Sequence, residues 1–291
     1  MLKRFFCLLV LLVLVAFMLP QPPAHAADSD SPQELLSLQK YLLWQQINAA
    51  RRNPRQVLDR LNIPVQQAAA VLGGDAWILD QGLPPLAWNQ PLFQAAQRHG
   101  RDMIDQVYYS HISLDGADPA LRIAETGYQA AVTDETLGAL MFMNFVELER
   151  AVPFLVDNIL RDELTGTPGV SRTIFSPAYT EVGIDFFAEN LPLLAEQPYV
   201  YMFVLDFARP LEPRGKLIVQ ADPASRVTLY DFSLSQMIEA PLLTAGWYQV
   251  AVPSSGGMLM ARNADGVMLT GKWLSAMDPY RNHAFDLRVK N

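Results

Sequence analysis

Few side chains in this chain of 291 residues are suited to catalysis or metal binding. The sequence has four histidines and one cysteine, Cys7, which lies in an apolar run near the N-terminus. A tight zinc site draws on several nitrogen or sulfur ligands, so this inventory is a poor one for zinc. Ser110 and His111 are adjacent, but neighbours in an extended segment point to opposite sides, and the sequence contains no G-x-S-x-G element. A serine hydrolase therefore has no local support.

His99 lies in the clearest amphipathic segment of the chain. Apolar residues recur at helical spacing from Pro91 to Val107, with charged residues between them, which predicts a helix. His99 falls on or beside the apolar stripe. We interpret it as a packing histidine with one hydrogen bond, because a ligand role needs convergent partners.

Several short motifs recur in a fixed order between Leu35 and Arg209. They are Ile47-Asn48-Ala49-Ala50-Arg51, Leu83-Pro84-Pro85-Leu86-Ala87-Trp88-Asn89, Tyr108-Tyr109-Ser110-His111, Asp115-Gly116, Arg122, Gly127-Tyr128, Asp134-Glu135-Thr136-Leu137 and Phe175-Ser176-Pro177-Ala178-Tyr179-Thr180-Glu181-Val182-Gly183-Ile184. In this order they resemble the CAP superfamily (the SCP, or cysteine-rich secretory protein, antigen 5 and pathogenesis-related domain) in its bacterial secreted form. The resemblance implies an α+β fold, a CAP-type α-β-α sandwich.

The same resemblance implies a cleft that gathers two histidines and two acids, where some family members hold a divalent metal. It places the first histidine on His111 and one acid on Glu135. The second acid falls on Asp162 or Glu163, and the register leaves both open. The position of the second histidine is taken by Val170, which neither binds a metal nor moves a proton.

Three functions remain open on this basis. We favour a secreted CAP-domain protein that binds a lipid, a glycan or a protein partner through the cleft, the C-terminal region or both. A metal-assisted hydrolase using His111 and Glu135 is the alternative, which Val170 disfavours. The third is a structural envelope protein with a vestigial cleft. We expect no catalytic residue and no cofactor. If a divalent cation binds, its ligands would be His111 and Glu135. Otherwise these two residues form a hydrogen-bonded pair that supports the scaffold.

The coarse secondary structure is helical first and strand-rich later. Tyr108 to Asp134 has no helical period and predicts a long ordered loop, after which Thr133 is suited to cap a helix beginning near Asp134. The other predicted elements are helices from Ser31, from Asn53 to Leu61, from Val65 to Leu72 and from Val152 to Leu164, and strands over Glu181 to Ala188 and Tyr199 to Ala208.

The texture changes after Arg209-Pro210. Short strands are predicted at Lys216–Ala221, Val227–Phe232, Trp247–Val252, Met258–Arg262 and Val267–Thr270, which suggests a small all-β, sandwich-like domain. We therefore divide the chain into a signal peptide (1–26), a CAP domain (31–210) and an accessory domain (211–291).

The N-terminus has the pattern of a secretory signal. Lys3 and Arg4 precede an apolar run over residues 5–19, and Ala24-His25-Ala26 offers a cleavage site, so we expect a secreted or periplasmic protein. No second long apolar run follows, so the mature chain is expected to lack a transmembrane segment. Removing residues 1–26 changes the formal charge from −8 to −10. Such an acidic chain is expected to repel nucleic acid and anionic lipid headgroups.

Overall fold

The computed structural model describes residues 32–167, 170–194, 196–212, 214–244 and 246–289. The expected signal peptide lies outside these residues. No helix in the described part of the chain is long and apolar enough to cross a membrane. The helices are α1 (Pro32–Arg52), α2 (Pro54–Leu61), α3 (Val65–Leu72), α4 (Ile78–Gln81), α5 (Gln90–Gln106), α6 (Pro119–Ala124) and α7 (Leu148–Thr165).

Three of these helices begin at the same kind of cap. The side chains of Asn53, Asn89 and Asp118 each accept a hydrogen bond from a backbone N–H in the first turn, and a proline follows each cap within two residues. The cap satisfies one of the unpaired N–H groups of the helix start, and proline fits where its missing N–H is not needed. These local signals set the starts of α2, α5 and α6.

The first sheet lies between two layers of helices. Its strands are β1 (Ala87–Trp88), β2 (Ala130–Phe142), β3 (Glu181–Asn190) and β4 (Tyr199–Pro210), in the order β1-β3-β4-β2. Side chains alternate along β4, so that Tyr201 and Phe203 pack under α1, α2, α3 and α7, whereas Met202 and Val204 pack under α5. The expected α-β-α sandwich is confirmed.

Helix α5 approaches the sheet unusually closely at Gly183. A Cβ atom built there would lie 1.9 Å from the backbone nitrogen of Phe93, so any larger residue would push the helix away. At Gly100, near the middle of α5, a Cβ would lie 2.1 Å from the Phe187 ring. The two glycines hold α5, and with it His99, directly against the sheet.

The helix predicted near Asp134 is wrong. Residues 130–142 form β2, which pairs antiparallel with β4 along nearly its whole length. Thr133 is suited to cap a helix, but the segment that follows has no helical apolar stripe. Long-range pairing with β4 therefore overrides the local cap signal. The consequence for the site is that Glu135 lies on a strand, not at a helix start.

The C-terminal region consists of two four-stranded sheets with a shared core. Their orders are β11-β10-β6-β7 and β12-β5-β9-β8. Leu217, Val219, Val227, Leu229 and Leu259 are fully buried between them, as in a sandwich. The strands are β5 (Lys216–Gln220), β6 (Arg226–Asp231), β7 (Gln236–Glu239), β8 (Leu242–Thr244), β9 (Trp247–Ala251), β10 (Gly257–Arg262), β11 (Met268–Leu274) and β12 (His283–Asp286).

The C-terminal sheets contact the helical part at β1. The side chain of Gln249 accepts from the backbone N–H of Trp88 at 3.1 Å and donates to its carbonyl at 3.0 Å. Asn282 donates to the carbonyls of Pro85 and Thr180 at 2.9 and 2.7 Å. The two regions are therefore joined by hydrogen bonds from C-terminal side chains to backbone groups near β1, as well as by the connecting chain.

Candidate functional site

Glu135 is the centre of the candidate site. Strand β2 turns this side chain toward the α5 face of the sheet, where its carboxylate is fully buried. Oε1 lies 2.8 Å from Nδ1 of His111, and Oε2 accepts from Nη2 of Arg122 at 2.7 Å. A buried carboxylate needs such partners, because an unpaired charge is costly away from water. The structure thus brings His111 and Glu135 together and adds Arg122.

Arg122 ties the long loop to this carboxylate. Its Nη1 donates to the carbonyl oxygens of His111 and Ala117 at 3.0 and 2.7 Å and to the hydroxyl of Ser113 at 3.1 Å. One buried guanidinium therefore organises the segment from His111 to Ala117 while it neutralises Glu135. Sequence comparison placed Arg122 in a motif but assigned it no role.

His99 supports the same loop from below. Its Nε2 lies 3.0 Å from the carbonyl oxygen of Ser110 and 3.8 Å from Oε2 of Glu135, and its Nδ1 lies 3.2 Å from the hydroxyl of Ser113. Burial lowers the pKa of His99, which keeps the ring neutral, so Nε2–H donates to the carbonyl and Nδ1 accepts from the hydroxyl. The packing role predicted for His99 fits this geometry, with two hydrogen bonds instead of one.

His111 is the one member of the cluster that faces solvent. Its side chain is 52% exposed, and its Nε2 has no partner among the described residues. Because Nδ1–H donates to Glu135, Nε2 carries a lone pair and can accept one hydrogen bond or one proton. The neighbouring Ser110 hydroxyl accepts from the N–H of Ile112 at 3.0 Å, so it is held by the backbone and not by His111. The site therefore presents a base without a placed nucleophile.

Asp206 is a site residue that the sequence reasoning missed. It is the direct cross-strand partner of Glu135 and is fully buried, and neither of its oxygens has a donor among the described residues. Burial, and then the charge of Glu135, raise the pKa of Asp206 well above its usual range. The raised pKa favours the neutral, protonated form of Asp206 beside Glu135. A lone acid within the apolar strand pattern of residues 199–208 was the available signal, since unpaired acids are rarely buried.

Replacing Asp206 by asparagine should make stability less dependent on pH. An acid whose folded pKa is raised stabilises the fold below its unfolded pKa of about 3.9, and that contribution is lost as pH rises toward the folded pKa. Asparagine does not ionise, so Asp206→Asn removes this loss. We expect the stability of the variant to rise relative to that of the wild type as the pH increases above about 4, by at most about 1.4 kcal/mol per pH unit.

Urea unfolding across that pH range measures the difference. Asp59→Asn, at an exposed position on α2, is the control and should track the wild type. Parallel stability curves for Asp206→Asn and the wild type would show that Asp206 is ionised in the folded protein.

Glu163, one candidate for the second acid, is part of the scaffold. Its carboxylate accepts from the backbone N–H groups of Thr173, Ile174 and Phe175 and from the Thr173 hydroxyl, at 2.8 to 3.0 Å. That hydroxyl also meets Thr136, which points to the opposite face of the sheet from its neighbour Glu135. The sheet therefore separates Glu163 from Glu135.

Asp162, the other candidate, lies nearer the solvent side of the cluster. It is half-buried and accepts from the Thr167 hydroxyl at 2.9 Å. Burial raises the pKa of Tyr109, and the charges of Glu135 and then Asp162 raise it further. Among the described residues, no group of three or more His, Cys, Asp or Glu side chains is arranged to hold a metal ion.

Other motif residues hold the chain in place. Arg51 is buried, and its guanidinium donates to the carbonyls of Ile174, Ser176 and Tyr179 at 2.6, 3.0 and 3.4 Å. Glu181, where β3 begins, accepts from Asn89 at 2.8 Å and from the Tyr128 hydroxyl at 2.7 Å. These motif residues therefore hold loops and strand ends in place, and their hydrogen bonds are made within the protein.

A small polar cavity lies behind the cluster, between α5, α6 and the loop. Its volume is about 270 Å³. Small-molecule sites usually occupy about 300–1,000 Å³ and are mostly apolar, so this cavity is small and unusually polar for such a ligand. Its lining residues are Arg98, His99, Asp102, Gln106, Ser113, Asp115, Ala117, Arg122 and Glu125.

Comparison with known proteins gives a family match and several similar solved chains, of which two are described. The model of the cysteine-rich secretory protein family, CAP, matches residues 44–187. An outer surface protein from Borrelia burgdorferi is 16% identical, with a TM-score of 0.37, over 60% of this chain and 93% of that one.

The second structure is an extracellular protein containing an SCP domain from Bacillus anthracis. It is 17% identical, with a TM-score of 0.36, over 63% of this chain and 45% of that one, so this chain spans less than half of its length. No curated protein matches the chain. Residues 44–187, which contain His111, Arg122 and Glu135, match the CAP family model, and this part of the chain is a CAP domain.

Proposed function

We propose that this protein is a secreted or periplasmic binding protein, and that its CAP domain presents the surface around His111 to a protein partner. Four large apolar side chains on the loop that carries His111 and on α6 support this proposal. Tyr109, Ile112, Leu114 and Leu121 are 46%, 49%, 63% and 51% exposed. Exposed apolar side chains gathered in one region are typical of interaction surfaces.

The shape of this region favours a protein over a lipid or a glycan. A lipid ligand is usually buried in a concave site, and the cavity described at this cluster is small and lined by charges. A glycan needs many polar partners for its hydroxyl groups, whereas the exposed side chains here are mainly apolar. A polar centre, the free Nε2 of His111, with apolar neighbours suits a partner that donates one hydrogen bond within an apolar contact.

The hydrolase alternative rests on the orientation of His111 by Glu135. That geometry fits a base that activates water. The site, however, has valine at position 170, which cannot bind a metal, and the Ser110 hydroxyl is not placed as a nucleophile. In addition, Arg122 already neutralises Glu135. Binding therefore accounts for more of the site than hydrolysis does.

The domain division is also a proposal. Strand β4 ends at Pro210 and β5 begins at Lys216, and the C-terminal sheets have a core of their own, although Ile218, Leu243 and Trp247 pack against the core of the first region. We propose a CAP domain over residues 31–210 and an accessory β-domain over 211–291. The predicted signal peptide at residues 1–26 supports export of both.

Photo-crosslinking in the native host tests the binding function. A photoreactive residue in place of Leu114 should give a discrete protein adduct, because this position is 63% exposed beside His111. The same probe at Leu193, which is 83% exposed outside the loop and α6, is the matched control and should give none. Adding His111→Ala should weaken the adduct at Leu114.

Two results would contradict the proposal. The first is equal labelling, or none, at Leu114 and Leu193. The second is stoichiometric zinc in the purified protein that is lost in His111→Ala, measured by mass spectrometry, which would favour the hydrolase instead. Zinc that appears only in Val170→His would show that the cleft retains metal-binding geometry and that the wild type is not metal-dependent.

A further inference from the structure

The outer face of the sheet β11-β10-β6-β7 has an exposed apolar end, while its middle carries the buried Met260 and the polar residues Thr228 and Glu239. The inner face carries Leu229 and Leu259, which are fully buried in the sandwich core. Residues one position away point outward. By register, Trp273, Met258, Tyr230 and Met237 lie side by side across all four strands and form an outer row.

The outer row ends in an exposed aromatic group. Trp273 is 70% exposed and its indole N–H has no partner among the described residues. Phe232, 39% exposed, lies 5.9 Å from the Tyr230 ring and 5.7 Å from the Trp273 ring. The next turn adds Leu234, which is 57% exposed. Tryptophan and other amphipathic rings of this kind prefer the boundary between water and lipid.

Two arginines lie at the other end of the same face. Arg226 and Arg262 are direct cross-strand partners, and neither forms an ion pair with an acid in the described chain. Like charges directly opposite each other destabilise a sheet. In addition, the Nε of Arg262 is buried without a hydrogen-bond acceptor among the described residues. No acid in the described chain therefore neutralises Arg226 and Arg262, and an anion from outside the chain could do so.

Charge is unevenly divided along the chain, which changes the expectation drawn from its total. Residues 211–291 contain eight basic and seven acidic residues, whereas residues 27–210 contain 12 basic and 23 acidic ones. The formal charge is thus +1 for the C-terminal region and −11 for the rest. The repulsion of anionic lipid expected for the whole chain does not apply to this face.

We propose that the outer face of this sheet docks onto an anionic lipid surface, with Arg226 and Arg262 at the headgroup phosphates and Trp273 and Phe232 at the edge of the acyl region. The argument is independent of the surface around His111. Apolar rings beside paired cations match the two components of interfacial binding, apolar burial and attraction to anionic headgroups.

Two other occupants fit this face less well. A glycan needs an array of hydrogen-bonding groups, and the outer row offers methionine and aromatic side chains instead. A second copy packed symmetrically, face to face, would bring four guanidinium groups together with one acid from each copy, Glu239, on the same face. An anionic lipid surface satisfies both the cations and the rings.

Vesicle co-flotation tests the proposal. The chain beginning at Ala27 keeps every described residue and avoids insertion of the apolar run at residues 5–19. Vesicles of phosphatidylcholine with about 30% phosphatidylglycerol should bind the protein, and pure phosphatidylcholine should bind it much less. Trp273→Ser should weaken binding about tenfold, through lost interfacial burial. Arg226→Gln should weaken it about fivefold, and raising the salt concentration should weaken it further.

Matched controls separate this face from general stickiness. Trp77→Ser removes an equally large side chain that is 42% exposed in the helical region, and Arg281→Gln removes an exposed cation outside the outer face. Both should bind like the wild type, and all variants should keep the wild-type urea midpoint. The proposal is overturned if anionic vesicles bind no protein, if Trp273→Ser and Arg226→Gln bind like the controls, or if Trp273→Ser abolishes only self-association in sedimentation.

Discussion

Replacing Arg51 by methionine is expected to lower the free energy of unfolding by about 3 kcal/mol or more, because each buried carbonyl left without its donor costs about 1–3 kcal/mol. Arg51 donates to carbonyls of the segment at residues 174–179, and Glu163 accepts the N–H groups at its start. Burial lowers the pKa of Arg51 to about 9, which the charge of Glu163 opposes. Without the guanidinium, Glu163 and the carbonyls would stay buried with fewer partners.

Urea unfolding of matched variants measures the effect. Arg52 is the next residue on α1 and is exposed, so Arg52→Met should change stability by less than about 0.5 kcal/mol. Arg51→Lys should fall between the two, because a single ammonium cannot reach several divergent carbonyls as a guanidinium does. Equal stability of Arg51→Met and Arg52→Met would show that Arg51 does not stabilise the segment at residues 174–179.

Replacing Arg122 by methionine is expected to cost a similar amount, about 3–5 kcal/mol, and also to loosen the loop that carries His111. The substitution leaves Glu135 buried next to the protonated Asp206 without its cation. It also removes three hydrogen bonds to His111, Ser113 and Ala117. Amide hydrogen exchange over residues 111–117 should therefore accelerate beyond what the global loss of stability explains.

A double-mutant cycle distinguishes the ion pair from general packing. Glu135→Gln removes the charge that Arg122 neutralises, so the double variant should lose less stability than the two single variants together. Arg150→Met, at an exposed position on α7, controls for the loss of a surface cation. Strict additivity of Arg122→Met and Glu135→Gln would argue that the two side chains are not coupled.

The stabilising roles of the two buried arginines, Arg51 and Arg122, change how the family motifs are interpreted. Arg51, Glu163 and Glu181 lie in or beside the motifs that identify the CAP domain, yet their side chains bind loop backbone or other buried groups. His111 alone among the cluster faces solvent. If a substitution of Arg51, Arg122, Glu163 or Glu181 reduces binding, the stability of the variant must be measured before a direct role is assigned to that residue.

Local patterns were sufficient for several elements. The apolar period after Asn89 and Pro91 predicted α5 to within one residue at each end. The turn Asn263-Ala264-Asp265-Gly266 has the composition of a hairpin turn, and Gly266 adopts a φ of 80° there, which suits glycine. Such signals are carried by neighbours in the sequence, so no distant contact is needed to interpret them.

By itself, the sequence indicated most of the longer helices and strands, the family resemblance and, through that resemblance, Val170 at the position of the second cleft histidine. Tertiary structure alone decided that residues 130–142 form a strand, that Asp206 faces Glu135 and that Glu163 lies on the other side of the sheet. The reason is the distance along the chain between partners: Arg51 and Ile174, for example, are 123 residues apart. Alternation along a strand then assigns each side chain to a face, and that face exists only once β2 has paired with β4.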